Sequence, residues 1–349
     1  MIKIETQDVG GRQEVIGWQL ADKRLASDPN DINIHDIPFG PTSLRGQQYS
    51  QNGDTVYLLG GVDENGVASN ALWEYTISTG VWVQLTTAPV SMFDGSMAYV
   101  SGSLYVCGVT TPLSDGAIYK YEISTEIWST ITGSLATPWT QVCDAVVHND
   151  LIFVAGGLYD DNVNPVQYNN TIHVINPADG NVSTLSMPAS LIGSAAVLTD
   201  SDKLIFIGGT TGLGDPNTEV YTYNITSDIW ESVGGNPKLG LGVHAVSYSQ
   251  SDDTVVLFGG NSNIVVVYDP NNDTYTTQAA QTSISDSAIW LDGFNIVQFG
   301  GMKSGVIRDM NDTSIFSFTT DTYGSSTDVI DGYPAARFMH AFDKKSTSL

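Results

Sequence analysis

Five histidines (His35, His148, His173, His244 and His340) and two cysteines (Cys107 and Cys143) are the scarce reactive side chains of this sequence. Imidazole and carboxylate together bind divalent transition metals, so Asp144, His244 and His340 are the first set to weigh as ligands. Zinc would need every ligand atom within ~2.0–2.2 Å, a demand on convergence that sequence spacing alone does not meet. Asp269, Asn271 and Asp273 place oxygens at alternate positions, as calcium loops do, but the glycine and distant glutamate of an EF-hand are missing. The sequence has no GxSxG elbow, HExxH, GxxxxGK[ST] or CxxC. The expectation is no metal, no cofactor and no catalytic residue. Both cysteines fall in or beside apolar runs and read as small buried hydrophobes.

What must position these residues is a repeat. Apolar runs ending in glycine recur as VYLLGG (56–61), LYVCG (104–108), IFVAGG (152–157), LIFIGG (204–209), VVLFGG (255–260) and IVQFGG (296–301). The second glycine position falls at 61, 109, 157, 209, 260 and 301, with valine replacing glycine at 109. Such runs, rich in branched residues, are strands buried on both faces, and the glycines let another stretch of backbone come close.

A second column follows at Tyr75, Tyr121, Ile175, Tyr223, Tyr268 and Phe316, and a third at Trp82, Trp128, Val182, Trp230, Tyr275 and Tyr323. The offset between these two columns is seven in all six units, across turn formers such as YTISTGVW and YNITSDIW. That pattern predicts a third strand, a tight turn, and a fourth strand whose aromatic packs on a neighbouring sheet. Before each glycine strand lies a small residue among apolar ones, as in SMAYV (96–100) and SAAVL (194–198), suited to the innermost strand where sheets converge. Four strands per unit in six units predict an all-β propeller of six complete blades, within 43–325.

The Gly-Gly strand end, the tyrosine and the tryptophan beyond it resemble the kelch repeat. Residues 337–342, RFMHAF, resemble the kelch phrase that opens an innermost strand. Following the sixth unit, they suggest a seventh blade shared between the ends, with 1–42 supplying its other strands. The competing reading is an orphan strand beside a six-bladed ring. The whole chain is expected to form one propeller domain.

The resemblance implies protein binding more often than catalysis, although fold does not dictate function. The expected surface is the end carrying the loops from second to third strand and from each blade to the next, where length varies most. Its candidates are Tyr159, Asp160, Asp161 and Tyr168 on the long 158–171 loop, with Trp139, Phe93, Arg45, Arg308 and Arg337. Aromatics beside polar groups have the composition of interface hot spots. The alternative is a carbohydrate-active enzyme, a sugar isomerase, mutarotase or oxidase, at the channel mouth, for which the three arginines are the available cations. The kelch-related copper oxidases carry a Tyr/His/Cys set that this sequence does not reproduce. Asp144, His244 and His340 share one column with Gln48, Ser96, Ser194 and Ser287, and are expected to line the channel.

Net charge is -25, with 13 Lys and Arg against 38 Asp and Glu. This field repels phosphate backbones and anionic membranes and is compatible with a basic protein, so the expected partner is another protein, bound by a monomer. The first residues, MIKIETQDVGG, lack a signal-peptide pattern, and the expected location is the cytoplasm. Five Asn-x-Ser/Thr sequons, at Asn169, Asn181, Asn224, Asn272 and Asn311, are about what chance gives and do not establish secretion.

Overall fold

The computed structural model describes residues 2–9, 12–20, 41, 44–108, 110–111, 116–135, 145–159, 167–192, 194–199, 201–211, 217, 219–234, 244–249, 254–259, 264–279, 288–292, 295–300, 302–303, 306–307, 314–317 and 322–325. Every regular element among them is a strand, and no helix is long and apolar enough to cross a membrane. The strands assemble into an all-β propeller.

Six four-stranded antiparallel sheets are seen among the described residues, each paired in chain order from the axis outward. The first comprises Gln48–Asn52, Thr55–Leu59, Leu72–Thr76 and Val81–Gln84. The others span 96–134, 145–186, 195–234, 244–279 and 288–325. Second strands such as Thr55–Leu59 are buried almost throughout, as expected of a strand covered on both faces.

The seven-residue offset has a structural meaning. Tyr75 lies opposite Trp82, Tyr121 opposite Trp128, Ile175 opposite Val182, Tyr223 opposite Trp230, Tyr268 opposite Tyr275 and Phe316 opposite Tyr323. A turn of constant length fixes the register, so the two columns always meet as a cross-strand pair. Ring centroids in the four Tyr-led pairs are 4.5, 5.0, 5.1 and 4.6 Å apart. Trp82 is buried, whereas Trp128 and Trp230 are half-buried. The Trp128 indole N–H also donates to the carbonyl of Thr86, 2.9 Å away in the segment trailing the first sheet.

Among the residues whose side chains are described, these columns face the preceding sheet. Tyr121 packs with Tyr57 and Leu59 of the first sheet, Ile175 with residues of the second, Tyr223 with those of the third and Tyr268 with those of the fourth. Tyr75 and Trp82 of the first sheet instead meet Ala288, Val297 and Phe299 of the sixth. The Trp82 and Phe299 rings are 5.7 Å apart. Innermost strands likewise neighbour one another in order, and Ala288–Asp292 returns to Gln48–Asn52.

The sixth and first sheets thus share one core at the seam where the sequence reading expected a closing blade. Near the N-terminus, Ile2–Val9 and Arg12–Leu20 form their own two-stranded antiparallel hairpin. Its second strand runs beside Val81–Gln84, the outermost strand of the first sheet. Residues 326–349, the proposed other half of that blade, lie outside the described residues.

Candidate functional site: the loop end of the propeller

Antiparallel order puts the turns joining strands one to two and three to four at one end, and all other connections at the opposite end. At the turn end, the Ile77 N–H donates to the Asp54 carbonyl at 2.8 Å, and the Asp54 carboxylate accepts from the Ser78 N–H at 2.8 Å and from its hydroxyl. Neighbouring sheets are tied there too, Ser101 donating to Asp150 at 3.1 Å. This end is occupied with holding turns.

The loop end is built on the glycine pairs. The Gly60 N–H donates to the carbonyl of Ala71, just before its own third strand, at 3.0 Å, while the Gly61 N–H donates to that of Met92 at 2.7 Å, in the segment entering the second sheet. Gly156 and Gly157 repeat this with Thr171 at 3.1 Å and Leu191 at 2.9 Å. A Cβ on Gly60 would stand 2.1 Å from the Met92 carbonyl oxygen, and its φ of +68° also favours glycine. The close approach anticipated from sequence is thus the next blade's entering chain. That entering segment pairs in turn with the stretch behind the end of its own second strand, Ser91–Met92 with Thr110–Thr111 and Leu191–Ile192 with Thr210–Thr211.

A buried asparagine fastens two of the loop roots, a feature the sequence reading missed. The Asn169 amide donates to the carbonyls of Gly156 and Thr171, both at 3.2 Å. Asn217 does the same to Gly208 at 3.0 Å and Glu219 at 2.8 Å. Both stand two residues before a third strand, a spacing that could have revealed them; in the first sheet Ser69, three residues before Leu72, accepts from the Ala71 N–H at 3.1 Å. Asn169 belongs to a sequon, yet it is buried and its amide is committed.

The long 158–171 connection is partly a ribbon: Leu158–Tyr159 pairs with Gln167–Tyr168, with Tyr159 opposite Gln167 and Leu158 opposite Tyr168. Tyr168 is 43% exposed beside the anchored Asn169. Asp160 and Asp161 lie outside the described residues. Phe93 is half-buried between Ser91–Met92 and Ser96–Val100. Arg45 is half-buried, with its backbone bridged to Val62 behind the first glycine pair. Trp139, Arg308 and Arg337 lie outside the described residues, so Arg45 is the one candidate arginine that can be placed.

Of the expected channel column, Gln48, Ser96 and Ser194 are buried. His244 opens the innermost strand His244–Ser249, opposite Gly259. Asp144, Ser287 and His340 lie outside the described residues. Among the described residues, no three His, Cys, Asp or Glu side chains are gathered as a metal ion would require. Cys107 is a free thiol whose pKa burial pushes up to about 12, in keeping with a small core residue. His173 is also buried, and loss of solvent holds its pKa below the ordinary histidine value.

Sequence reading overlooked the tip of the first sheet's loop. The Asp63 carboxylate accepts from the N–H groups of Asn65 at 2.9 Å and Val67 at 2.8 Å. The Asp63 N–H donates to the Val67 carbonyl and the Gly66 N–H to the Asp63 carbonyl, each at 3.1 Å. The bond from Val67, more than any other contact, holds the Asp63 carboxyl below the usual carboxylate range.

No family model matches the chain. It is 22% identical to mouse Kelch-like protein 38 over 231 residues, covering 64% of this chain and 38% of that protein. It is 24% identical to Kelch-like protein terF of Aspergillus terreus over 198 residues, 51% of this chain and 42% of that one. Identity to bovine Kelch domain-containing protein 3 is 25% over 225 residues, 60% and 59% of the two chains. The chain thus spans about two fifths of the length of the first of these relatives. The solved structure of YjhT superposes with a TM-score of 0.68 at 14% identity, covering 83% of this chain and 99% of that one. In the spacing of its repeats, the order of its sheets and the proteins it resembles, the chain is a β-propeller of the kelch-repeat kind.

Proposed function

We propose that this chain is a non-catalytic interaction module that binds another protein through the loop end of the propeller. The observation that carries the reading is the contrast between rigid roots and exposed tips at that end. Tyr168 is exposed immediately beside the buried, doubly bonded Asn169. An aromatic held on a fixed base offers contact area at small entropic cost on binding. The Kelch-like relatives support the reading by name only, since they share part of their length with this chain. A net charge of -25 favours a basic partner surface, for which association would slow as salt rises.

We further infer that the ring has six blades. The shared core of the sixth and first sheets supports that count, with Trp82 against Phe299 at the seam.

The test of function compares capture of partners from native cells by the wild type, by a Tyr159→Ala/Tyr168→Ala variant and by Thr79→Ala at the turn end. A protein retained by wild type and Thr79→Ala should bind the double variant roughly tenfold or more weakly on direct titration, with unchanged melting temperature. Equal binding by all three would remove the loop end from consideration.

A further inference from the structure

We propose that the turn 63–67 is itself a docking element, with Val67 entering an apolar pocket on the partner and Glu64 meeting that pocket's basic rim. The inference rests on the reading of the loop end as the binding surface and names a contact within it. Val67 is 64% exposed, which puts it among the most exposed large apolar side chains described. Single exposed apolar residues are ordinary on protein surfaces. Unlike Ile127 and Ile229, which stand beside the turns between third and fourth strands, this one is at the loop end, on a turn whose backbone is held on both sides.

The Val67 N–H is bound by the Asp63 carboxylate and its carbonyl by the Asp63 N–H. Gly66, at φ +80° with open space around it, lets the chain double back without filling the surface. Val62 is bridged both to Arg45 and to Ala68, so the base of the turn joins the hydrogen-bonded loop end. A valine presented in one conformation loses little freedom on binding, which is the advantage of a preorganised contact. Glu64 and Asn65 on the same turn are exposed, and with a chain charge of -25 the complementary surface is basic. Asp63 is a positioning residue: its oxygen fixes the turn while Val67 and Glu64 make the contact.

The experiment selects binders to the folded chain from random peptides displayed on phage, then titrates synthetic copies against variants. Selected peptides should carry Lys or Arg around an apolar residue, and their binding should weaken with rising salt. Val67→Asp, Val67→Ser and Asp63→Ala should each lower affinity roughly tenfold or more, with the melting temperature unchanged in the two Val67 variants. Asp63→Asn keeps an accepting oxygen and should bind as wild type. A structural role for the Asp63 charge would instead make Asn as damaging as Ala. Binding that ignores Val67 but falls with Tyr168→Ala overturns this inference and leaves the loop end standing. Peptides insensitive to both, or none selected, overturn both readings. Val67-dependent binding that is indifferent to salt overturns the basic partner.

Discussion

If Trp82 and Phe299 truly touch across the seam between the first and sixth sheets, replacing either should change what the other contributes. Their rings are 5.7 Å apart at 41°, within the range where aromatic pairs add about 0.5–1.5 kcal/mol beyond the area they bury. Changing each to leucine keeps much of the apolar volume while removing the ring contact. Each single change should cost roughly 1–3 kcal/mol, because both side chains are buried. The double change should then cost about 0.5–1.5 kcal/mol less than the two costs added together. Urea unfolding followed by fluorescence and by circular dichroism gives the four free energies, provided the two signals report one coincident transition. Trp82 with Trp230, which belongs to the fourth sheet, serves as the uncoupled control. Distant sites add to within ~0.3–0.5 kcal/mol, so additivity at Trp82 and Phe299 would mean that another blade separates them and that the ring is not closed by six sheets.

Two further outcomes follow from buried polar groups. His173 is buried with its pKa below the ordinary histidine value, so the unfolded chain takes up its proton at higher pH than the folded one. Stability should therefore fall as pH drops from the unfolded histidine value toward the depressed one, and His173→Gln should flatten that part of the melting-temperature profile; an unchanged slope would refute the assignment. Asn169→Ala should leave the carbonyls of Gly156 and Thr171 without their side-chain donor and destabilise by about 1–3 kcal/mol, measured by urea titration. A wild-type midpoint would show that water replaces the amide at no cost.

Local spacing determined much of the fold. A constant offset of seven between Tyr75 and Trp82, and between their counterparts, is a statement about one turn and one register, and both are short-range properties. The Gly60-Gly61 pair was likewise legible as a place of close backbone approach, since few other residues tolerate it. Tyr168 was legible as a candidate because an aromatic in a long variable loop has few local reasons to be there.

Tertiary structure decided which sheet each face meets. Every unit presents the same apolar pattern to its neighbour, so the face around Trp82 fits a sixth sheet or a seventh equally well on paper. Its packing against Ala288, Val297 and Phe299 is a long-range contact that no local pattern encodes. The roles of Asn169 and Asn217 were hidden for a related reason: a polar residue before a strand reads as loop until the carbonyls that bury it are in place. Val67 was missed because exposure is not a property of sequence. A valine beside two acids and a glycine looks like any turn, and the bonds from Asp63 that hold it outward form only when the chain folds back upon itself.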